Sequence, residues 1–391
     1  MVRDYKKMRV GLISYPIDYE QRTGIGNYTY YLVKNLIEIG KVDNLYLIHY
    51  RKFNEEVYSK AHEKIISVPE FLLYIPKIPG LISMFKLPFL IKKTEIDILH
   101  FPATWGAQIL TFFLNPKVKK ILTVHDLTPL LYSHTHMKHN VIIWNSTLRL
   151  IKNKIDIIIA DSQNTKNDCI KYLNIPEKKI KVIYLAPDEI YQPINNKQEI
   201  KEEIYKKYNV EIPFILYVGT LERRKNIPTL IKAFYKLKKI NIPHKLVIVG
   251  KKGWLYNDIF KTVEAFKLQE DIIFTGYVPK EDLVKFYNLA DLFVYPSLYE
   301  GFGLPPLEAM ACGCPVIISN TSSLPEVVGD AGILVDPYDV EELAKAMYEV
   351  LKDESFRIEL AKKGLERAKL FSWRKTAEET WKVYEEVYYG K

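Results

Sequence analysis

What most limits the fold of this chain is a recurring unit, a short β-branched apolar run followed by 10–15 residues with helical spacing. Such runs occupy residues 9–14, 45–49, 97–101, 120–126, 155–162 and 180–186. A second series follows at 214–220, 245–251, 271–277, 291–297, 315–320 and 332–336. Segments between them, such as 227–239 and 282–289, carry apolar residues three and four apart. Strands this uniformly apolar need cover on both faces, which implies parallel strands joined through helices. Two series of about six strands predict two doubly wound, Rossmann-like α/β domains rather than one oversized sheet.

The junction lies where a strand end meets two prolines, Ala186-Pro-Asp-Glu-Ile-Tyr-Gln-Pro193, followed by the charged run NNKQEIKEE. A hinge near 187–195 gives domains 1–189 and 190–372. Helices at 340–352 and 355–370 extend the second domain. Ser372 reads as the N-cap of a terminal helix, 373–389, inside a final segment 373–391.

With 48% apolar and 26% charged residues, the composition excludes disorder, collagen and coiled coil. Three cysteines cannot build a disulfide framework and fit a reducing compartment. The apolar run before Pro16 is too short for a signal peptide, and 71–91 is interrupted by Pro76, Pro79, Gly80 and Pro88. The expectation is a cytoplasmic protein, or one held peripherally at the inner face of a membrane. The net charge of +9 falls entirely in residues 1–189, which hold 27 Lys and Arg against 18 Asp and Glu; the remainder holds 29 of each. An anionic partner for the first half fits that asymmetry. A Lys-rich composition of hot environments would give the same excess.

Ligands of doubly wound sheets bind outside the carboxyl ends of the strands. After the first strand, Gly24-Ile-Gly26-Asn-Tyr28 opens a helix, where glycines admit a ligand and the helix N-terminus favours an anion. A dinucleotide fingerprint is not met, because the third glycine and the ribose-binding acid are missing. In the second domain, Gly219-Thr220 ends a strand and Arg223, Arg224 and Lys225 precede the helix begun by Ile227-Pro228. Three cations at that place form a diphosphate site by charge and amide donors. Further on, Glu300-Gly301-Phe302-Gly303-Leu304-Pro-Pro-Leu-Glu308 pairs two glycines with a helix start suited to proline, and Glu308 is expected in the first helical turn. Macrodipole complementation would account for Glu308 but leaves Glu300 and the glycines unexplained.

The Glu, seven residues, Glu pattern of EGFGLPPLE resembles the signature of the retaining glycosyltransferases of family four, which share the two-domain GT-B fold. GIGNYTYYLVKNL, VHDLTPLLY, YVGTLERRKNIPTLIKAF and DLFVYPSLYEGFGLPPLEAMACGCPVI resemble successive motifs of that family, in its order. GTLERRKN and GKKGWLY are most similar to its mannosyl-transferring members that use GDP-mannose. The resemblance implies two Rossmann-like domains facing each other across a cleft, with acceptor bound by the first, donor by the second, and the terminal helix crossing back. Gly26, after Gly24, would lend its amide to the donor diphosphate. Lys225 with Arg224 would neutralise the phosphates, and Glu308 would bind the ribose. Glu300 and the amides of Gly301 to Leu304 would hold sugar and phosphate, and His125 would touch the transferred sugar. Family members often carry Arg where this chain has Thr220, which leaves Arg223 and Arg224 both open as the substitute.

The implied partners are a nucleotide-sugar donor and a saccharide or lipid-linked acceptor, with an acidic membrane as a candidate peripheral contact. Nucleic acid is not expected, because no recognised motif accompanies the basic charge. Alternatives are a sugar-nucleotide epimerase of similar fold and a non-catalytic binding protein. No Asp-x-Asp pair occurs, so neither a metal nor a resident cofactor is expected. His134, His136 and His139 read as part of an acceptor loop, and Asp126 as an orienting neighbour of His125. Cys312 and Cys314 suit tight packing before a strand, and Trp254 is expected to cover core. Segment 71–93 reads either as an interfacial element or as a helix capping the sheet, with the second preferred.

Overall fold

The computed structural model describes residues 8–18, 24–49, 59–66, 78–103, 109–133, 138–254 and 256–390. His134 and His136 lie outside the described residues, as does the side chain of His139. The chain divides into two compact units, Met1–Leu131 with Met137–Leu185 and Trp373–Lys391, and Tyr132–His136 with Ala186–Ser372.

The first unit is built on a seven-stranded sheet in the order β3-β2-β1-β4-β5-β6-β7, with every pairing parallel. Its strands are β1 Val10–Ile13, β2 Leu45–His49, β3 His62–Ile65, β4 Ile98–Phe101, β5 Lys119–Val124, β6 Ile157–Ala160 and β7 Ile180–Val182. The strand beyond the expected six is β3, whose sequence His-Glu-Lys-Ile has no apolar run. As an edge strand it pairs only with β2 and stays largely exposed, so it needs none.

Helices cover both faces. On one, α1 (Gly24–Glu38) and the terminal helix Trp373–Tyr389 pack together over β4 and β5. Tyr28 and Tyr384 reach Thr123 and His100 there. On the other lie α2 (Ile78–Thr94), α3 (Ile109–Leu114), α4 (Lys138–Ile151) and α5 (Gln163–Leu173). They place Leu87, Ile91, Phe112, Leu148 and Leu173 in one cluster with Leu99, Phe101, Leu122, Val124 and Ile158 of the sheet. The sheet residues alternate along their strands, as one pleated face requires. Of segment 71–93, residues 71–77 lie outside the described residues; the rest forms α2, a helix capping the sheet as preferred, and it runs continuously through Pro88 rather than breaking there. Proline removes a single backbone donor, and the carbonyl of Pro88 accepts a 3.0 Å hydrogen bond from Asn115 Nδ2.

The second unit has a six-stranded sheet, order β10-β9-β8-β11-β12-β13, again wholly parallel. The strands are β8 Phe214–Val218, β9 Lys245–Val249, β10 Ile272–Gly276, β11 Leu292–Tyr295, β12 Val316–Ser319 and β13 Ile333–Val335. From β8 the chain builds outward through β9 and β10, then returns to β11 on the other side. The carboxyl ends of β8 and β11 therefore adjoin at the point where strand order reverses, the place where doubly wound sheets bind ligands. Helix α6 (Ile227–Lys239) follows the loop after β8, and α7 (Leu304–Ala311) the loop after β11. Cys312 and Cys314 are buried behind α7. Trp254 does not cover core: it is 49% exposed in the loop after β9.

That loop packs on the one after β8 with no room for a side chain. A Cβ on Gly250 (φ +150°) would stand 1.9 Å from the Gly219 carbonyl oxygen. One on Gly253 would stand 2.7 Å from Thr220 Cγ2. Gly250→Ala is expected to lower unfolding stability by roughly 2–4 kcal/mol, from overpacking and backbone strain together. Urea denaturation measures it, and a wild-type midpoint would show that the two loops can separate freely.

Candidate active site

In the second unit, the buried strands β8 and β11 carry two polar loops to the same point. The Arg223–Lys225 turn follows Gly219-Thr220, and the amide of Leu298 donates to the carbonyl of Arg224 at 2.9 Å, tying the loops together. Glu300 is the centre of what they hold. Its Oε1 lies 2.6 Å from Lys225 Nζ and accepts from Ser297 Oγ at 2.5 Å, while its Oε2 lies 3.0 Å from Arg224 Nη1. Lys225 Nζ also donates to Tyr295 Oη at 2.6 Å. Arg224 bonds the Tyr299 carbonyl at 2.5 Å and Glu222 Oε1 at 2.7 Å. Both Lys225 and Glu300 are 8% exposed.

Burial by itself would raise the Glu300 carboxyl, but Arg224 and then Lys225 outweigh it and hold the group at about 2. Lys225 is drawn below the usual lysine range by burial and by neighbouring Arg224, with Glu300 opposing. Four charges, two of each sign, thus form a balanced cluster. Arg223 is exposed and Thr220 half-buried. The structure therefore brings Arg224 and Lys225 together on Glu300 and leaves Arg223 outside.

Gly303 adopts φ +115° immediately before α7, and a Cβ there would meet Leu324 Cδ2 at 2.8 Å. Gly301 and Phe302 are buried beside it. Because α7 begins at Leu304, Glu308 is its fifth residue and stands in the second turn, not the first. Complementation of the helix dipole fades beyond the first turn, so it does not explain this carboxylate. Glu308 Oε2 accepts from Tyr287 Oη at 3.0 Å. Burial pushes its carboxyl up to about 7, against the hydrogen bond from Tyr287 and the charge of Lys280. A hydrogen bond from Tyr191 opposes that shift too.

In the first unit, Gly24 is the first residue of α1, with open space where a Cβ would go, and Gly26 is buried one position past Ile25. His125 follows β5. Its Nδ1 lies 2.6 Å from Asp161 Oδ2, and its Nε2 lies 2.8 Å from the Pro102 carbonyl. The ring edge of Tyr28 packs at 4.9 Å. The acid that orients His125 is Asp161, at the end of β6, rather than Asp126, which accepts from the amide and hydroxyl of Thr128 at 2.9 and 2.7 Å. A carbonyl only accepts, so Nε2 carries a hydrogen, and the second proton lies between Nδ1 and Asp161. Both ring nitrogens of His125 are thus engaged within the unit. Burial would lower its pKa, yet Asp161 reverses the sign and raises it. Neighbouring His100 is neutral, pushed down to about 3 by burial.

Sequence reasoning missed Glu222, Tyr295, Ser297 and Asp161. An acid directly before three cations is a readable sign of internal neutralisation at Glu222. Tyr295 and Asp161 are strand-end residues that only the fold brings into reach. In Asp161→Asn the His125 ring is expected to titrate below its wild-type value, because burial is then opposed only by the Pro102 carbonyl and the charge of Asp126, whereas the wild-type ring titrates above the ordinary histidine value of about 6.5. Ring NMR titration checks this, and identical curves would remove Asp161 as the cause.

Two family models match the chain, "Glycosyltransferase Family 4" over residues 22–188 and "Glycosyl transferases group 1" over 197–367. The "O-antigen chain mannosyltransferase B" of Escherichia coli is 32% identical over 389 residues, covering 96% of this chain and 99% of that protein. A "serotype-specific mannosyltransferase", WbdA of Escherichia coli, is 35% identical over 269 residues; the match covers 67% of this chain but only 33% of WbdA. Among solved structures, sucrose-phosphate synthase from Thermosynechococcus elongatus superposes with a TM-score of 0.77 at 23% identity, over 98% of this chain and all of that one. Strand order, the cluster around Glu300 and a full-length relative above 30% identity converge: this chain belongs to the family-four glycosyltransferases of GT-B fold.

Proposed function

We propose that this glycosyltransferase moves a mannosyl unit from GDP-mannose, with retention at the anomeric carbon, to a saccharide or lipid-linked acceptor. The observation that carries the donor assignment is the preorganised pair Arg224 and Lys225 at the switch point, backed by full-length similarity to a mannosyltransferase. Membership of the family favours transfer over the epimerase and binding-module readings.

Sugar transfer passes through an oxocarbenium-like state while negative charge accumulates on the departing diphosphate. A cation already fixed where that charge appears contributes about 2–4 kcal/mol to the transition state, because nothing reorganises as the bond breaks. Lys225 and Arg224 would meet this requirement, each held in place by its ion pair with Glu300. The diphosphate would share those cations with Glu300 and Glu222. Same-face substitution, in which the leaving diphosphate assists the acceptor hydroxyl, would need no nucleophile from the protein. Glu308 would accept from the ribose hydroxyls, and His125 would touch the transferred sugar.

A panel of GDP-, UDP- and ADP-sugars in thermal-shift assays tests the donor. GDP-mannose is expected to stabilise most, by about 2.7 kcal/mol at a hundred times its Kd. Larger stabilisation by a UDP-sugar, or a product of inverted configuration by NMR, would overturn the assignment. A ribose contact at Glu308 has a pH signature. With its carboxyl at about 7, further hydroxyl donors would favour the ionised form. Nucleoside diphosphate affinity should therefore rise as pH increases through 7, and fall below it. Titration calorimetry of Glu308→Gln in the same buffers should lack that component while keeping the one that belongs to the phosphate. Parallel profiles would remove Glu308 from the ribose.

A further inference from the structure

Helix α2 is apolar on two opposite faces. One, with Leu87 and Ile91, lies in the core beneath the sheet. The other carries Leu81, Phe85 and Phe89, four residues apart, and these are 51%, 55% and 67% exposed. The helices beside it behave alike. Phe113 on α3 and Ile142 and Ile143 on α4 are exposed, although Phe112 and Leu148 of the same helices are buried in that core. Helix α3 contacts both α2 and α4, and all three cover one face of one sheet, so their outer surfaces look the same way. Large apolar side chains recurring on three adjacent helices exceed the scattered exposure normal on a monomer surface.

Charge says what such a surface meets. The sequences of α2, α3 and α4 contain Lys86, Lys92, Lys93, Lys138 and Arg149 and no Asp or Glu. Lys86, Lys92 and Lys93 share the exposed stripe of α2 with Phe85 and Phe89. Just beyond α4, Lys154 Nζ lies 5.9 Å over the Phe113 ring. A second protein chain would bring polar and acidic partners in a fixed pattern. A stripe of phenylalanines flanked by long cations, with no anion among them, instead suits a surface that offers hydrocarbon a few ångströms below a layer of negative charge.

We propose that the outer face of α2, α3 and α4 docks on the surface of a membrane rich in acidic phospholipid, with Leu81, Phe85 and Phe89 entering the interface and Lys86, Lys92 and Lys93 meeting headgroup phosphates. The contact is interfacial: no helix among the described residues is long and apolar enough to cross a membrane. It does not depend on which donor or acceptor the enzyme uses.

Sedimentation of the full chain with vesicles tests it, comparing phosphatidylcholine alone with the same lipid containing about 30% phosphatidylglycerol. Binding is expected to be at least tenfold stronger to the acidic vesicles at low salt, and to fall steeply as salt rises to about 0.5 M. Phe85→Ser with Phe89→Ser, and separately Lys92→Glu with Lys93→Glu, should each weaken it about tenfold or more. These positions are exposed, so melting temperature and nucleoside diphosphate affinity in the second unit should not change. Equal binding to both vesicle types would overturn the proposal, as would undiminished binding by either double variant. So would a wild-type dimer that Phe85→Ser with Phe89→Ser converts to monomer without altering vesicle binding, since the face would then belong to a second copy of the chain.

Discussion

Glu300 draws three donors onto one carboxylate where little water reaches, and the surrounding loops are arranged around that demand. A buried charge left unpaired is costly, and a buried pair stabilises little unless its remaining hydrogen bonds are met. Here they are met by Ser297, Tyr295 and the Tyr299 carbonyl, while the Glu300 amide donates to Ser322 Oγ at 2.9 Å. Ser323 Oγ closes the loop on the carbonyls of Glu300 and Phe302, at 2.9 and 2.6 Å. Each of these groups is at the end of a strand or start of a helix, so the cluster can form only where β8 and β11 adjoin. Strand order fixes the place, and the ion cluster fixes the side chains. The desolvation of both cations is thereby offset by Glu300 and Glu222.

The first unit solves a related problem with neutral groups. Between its sheet and the terminal helix runs a buried chain in which Tyr384 Oη lies 2.6 Å from His100 Nδ1, His100 Nε2 lies 2.8 Å from Thr123 Oγ1, and Thr123 lies 2.9 Å from Tyr28 Oη. Tyr28 in turn packs its edge on His125. Burial keeps the two tyrosines protonated and His100 uncharged, so the chain crosses the interior without an ion. The terminal helix is also tied down by Thr376, which donates to the Tyr184 carbonyl at 2.6 Å, and by Trp373 stacked on Tyr31 at 5.1 Å. A segment separated from this unit by the whole second sheet thus supports the strand end that holds His125.

Much of this was readable in the sequence because buried parallel strands leave a strong imprint. A run such as FILYV has no alternative to burial, and the helix starts at Gly24, Ile227 and Trp373 were signalled by glycine, proline and a preceding serine. Features that depend on partners far along the chain were less legible. Strand β3 leaves no apolar trace, since an edge strand needs little burial. Asp126 adjoins His125 in sequence, but Asp161, 36 residues on, is the acid that reaches it, because β5 and β6 are neighbours in the sheet. Glu308 was displaced by one turn because the prolines at 305 and 306 follow the helix start at Leu304. Trp254 was expected in the core from residue type alone, and aromatic character does not distinguish a covered ring from an exposed one.

Helix α2 shows a second limit of pattern reading. Apolar residues all round a helix ordinarily signal complete burial, and periodicity cannot separate that from a helix with core beneath it and lipid above. Charge placement separates them. In residues 190–391 the cations at the candidate site are inside and matched by acids, and the totals balance at 29 of each. Residues 1–189 carry an excess of nine, and the sequences of three helices there, α2, α3 and α4, hold cations or no charge but no acid. Internal cations must be paired to be buried, whereas exposed cations keep a field that reaches about 10 Å into solvent at moderate salt. The two halves therefore handle positive charge in opposite ways, one holding Arg224 and Lys225 against carboxylates, the other setting Lys86, Lys92 and Lys93 beside exposed phenylalanines.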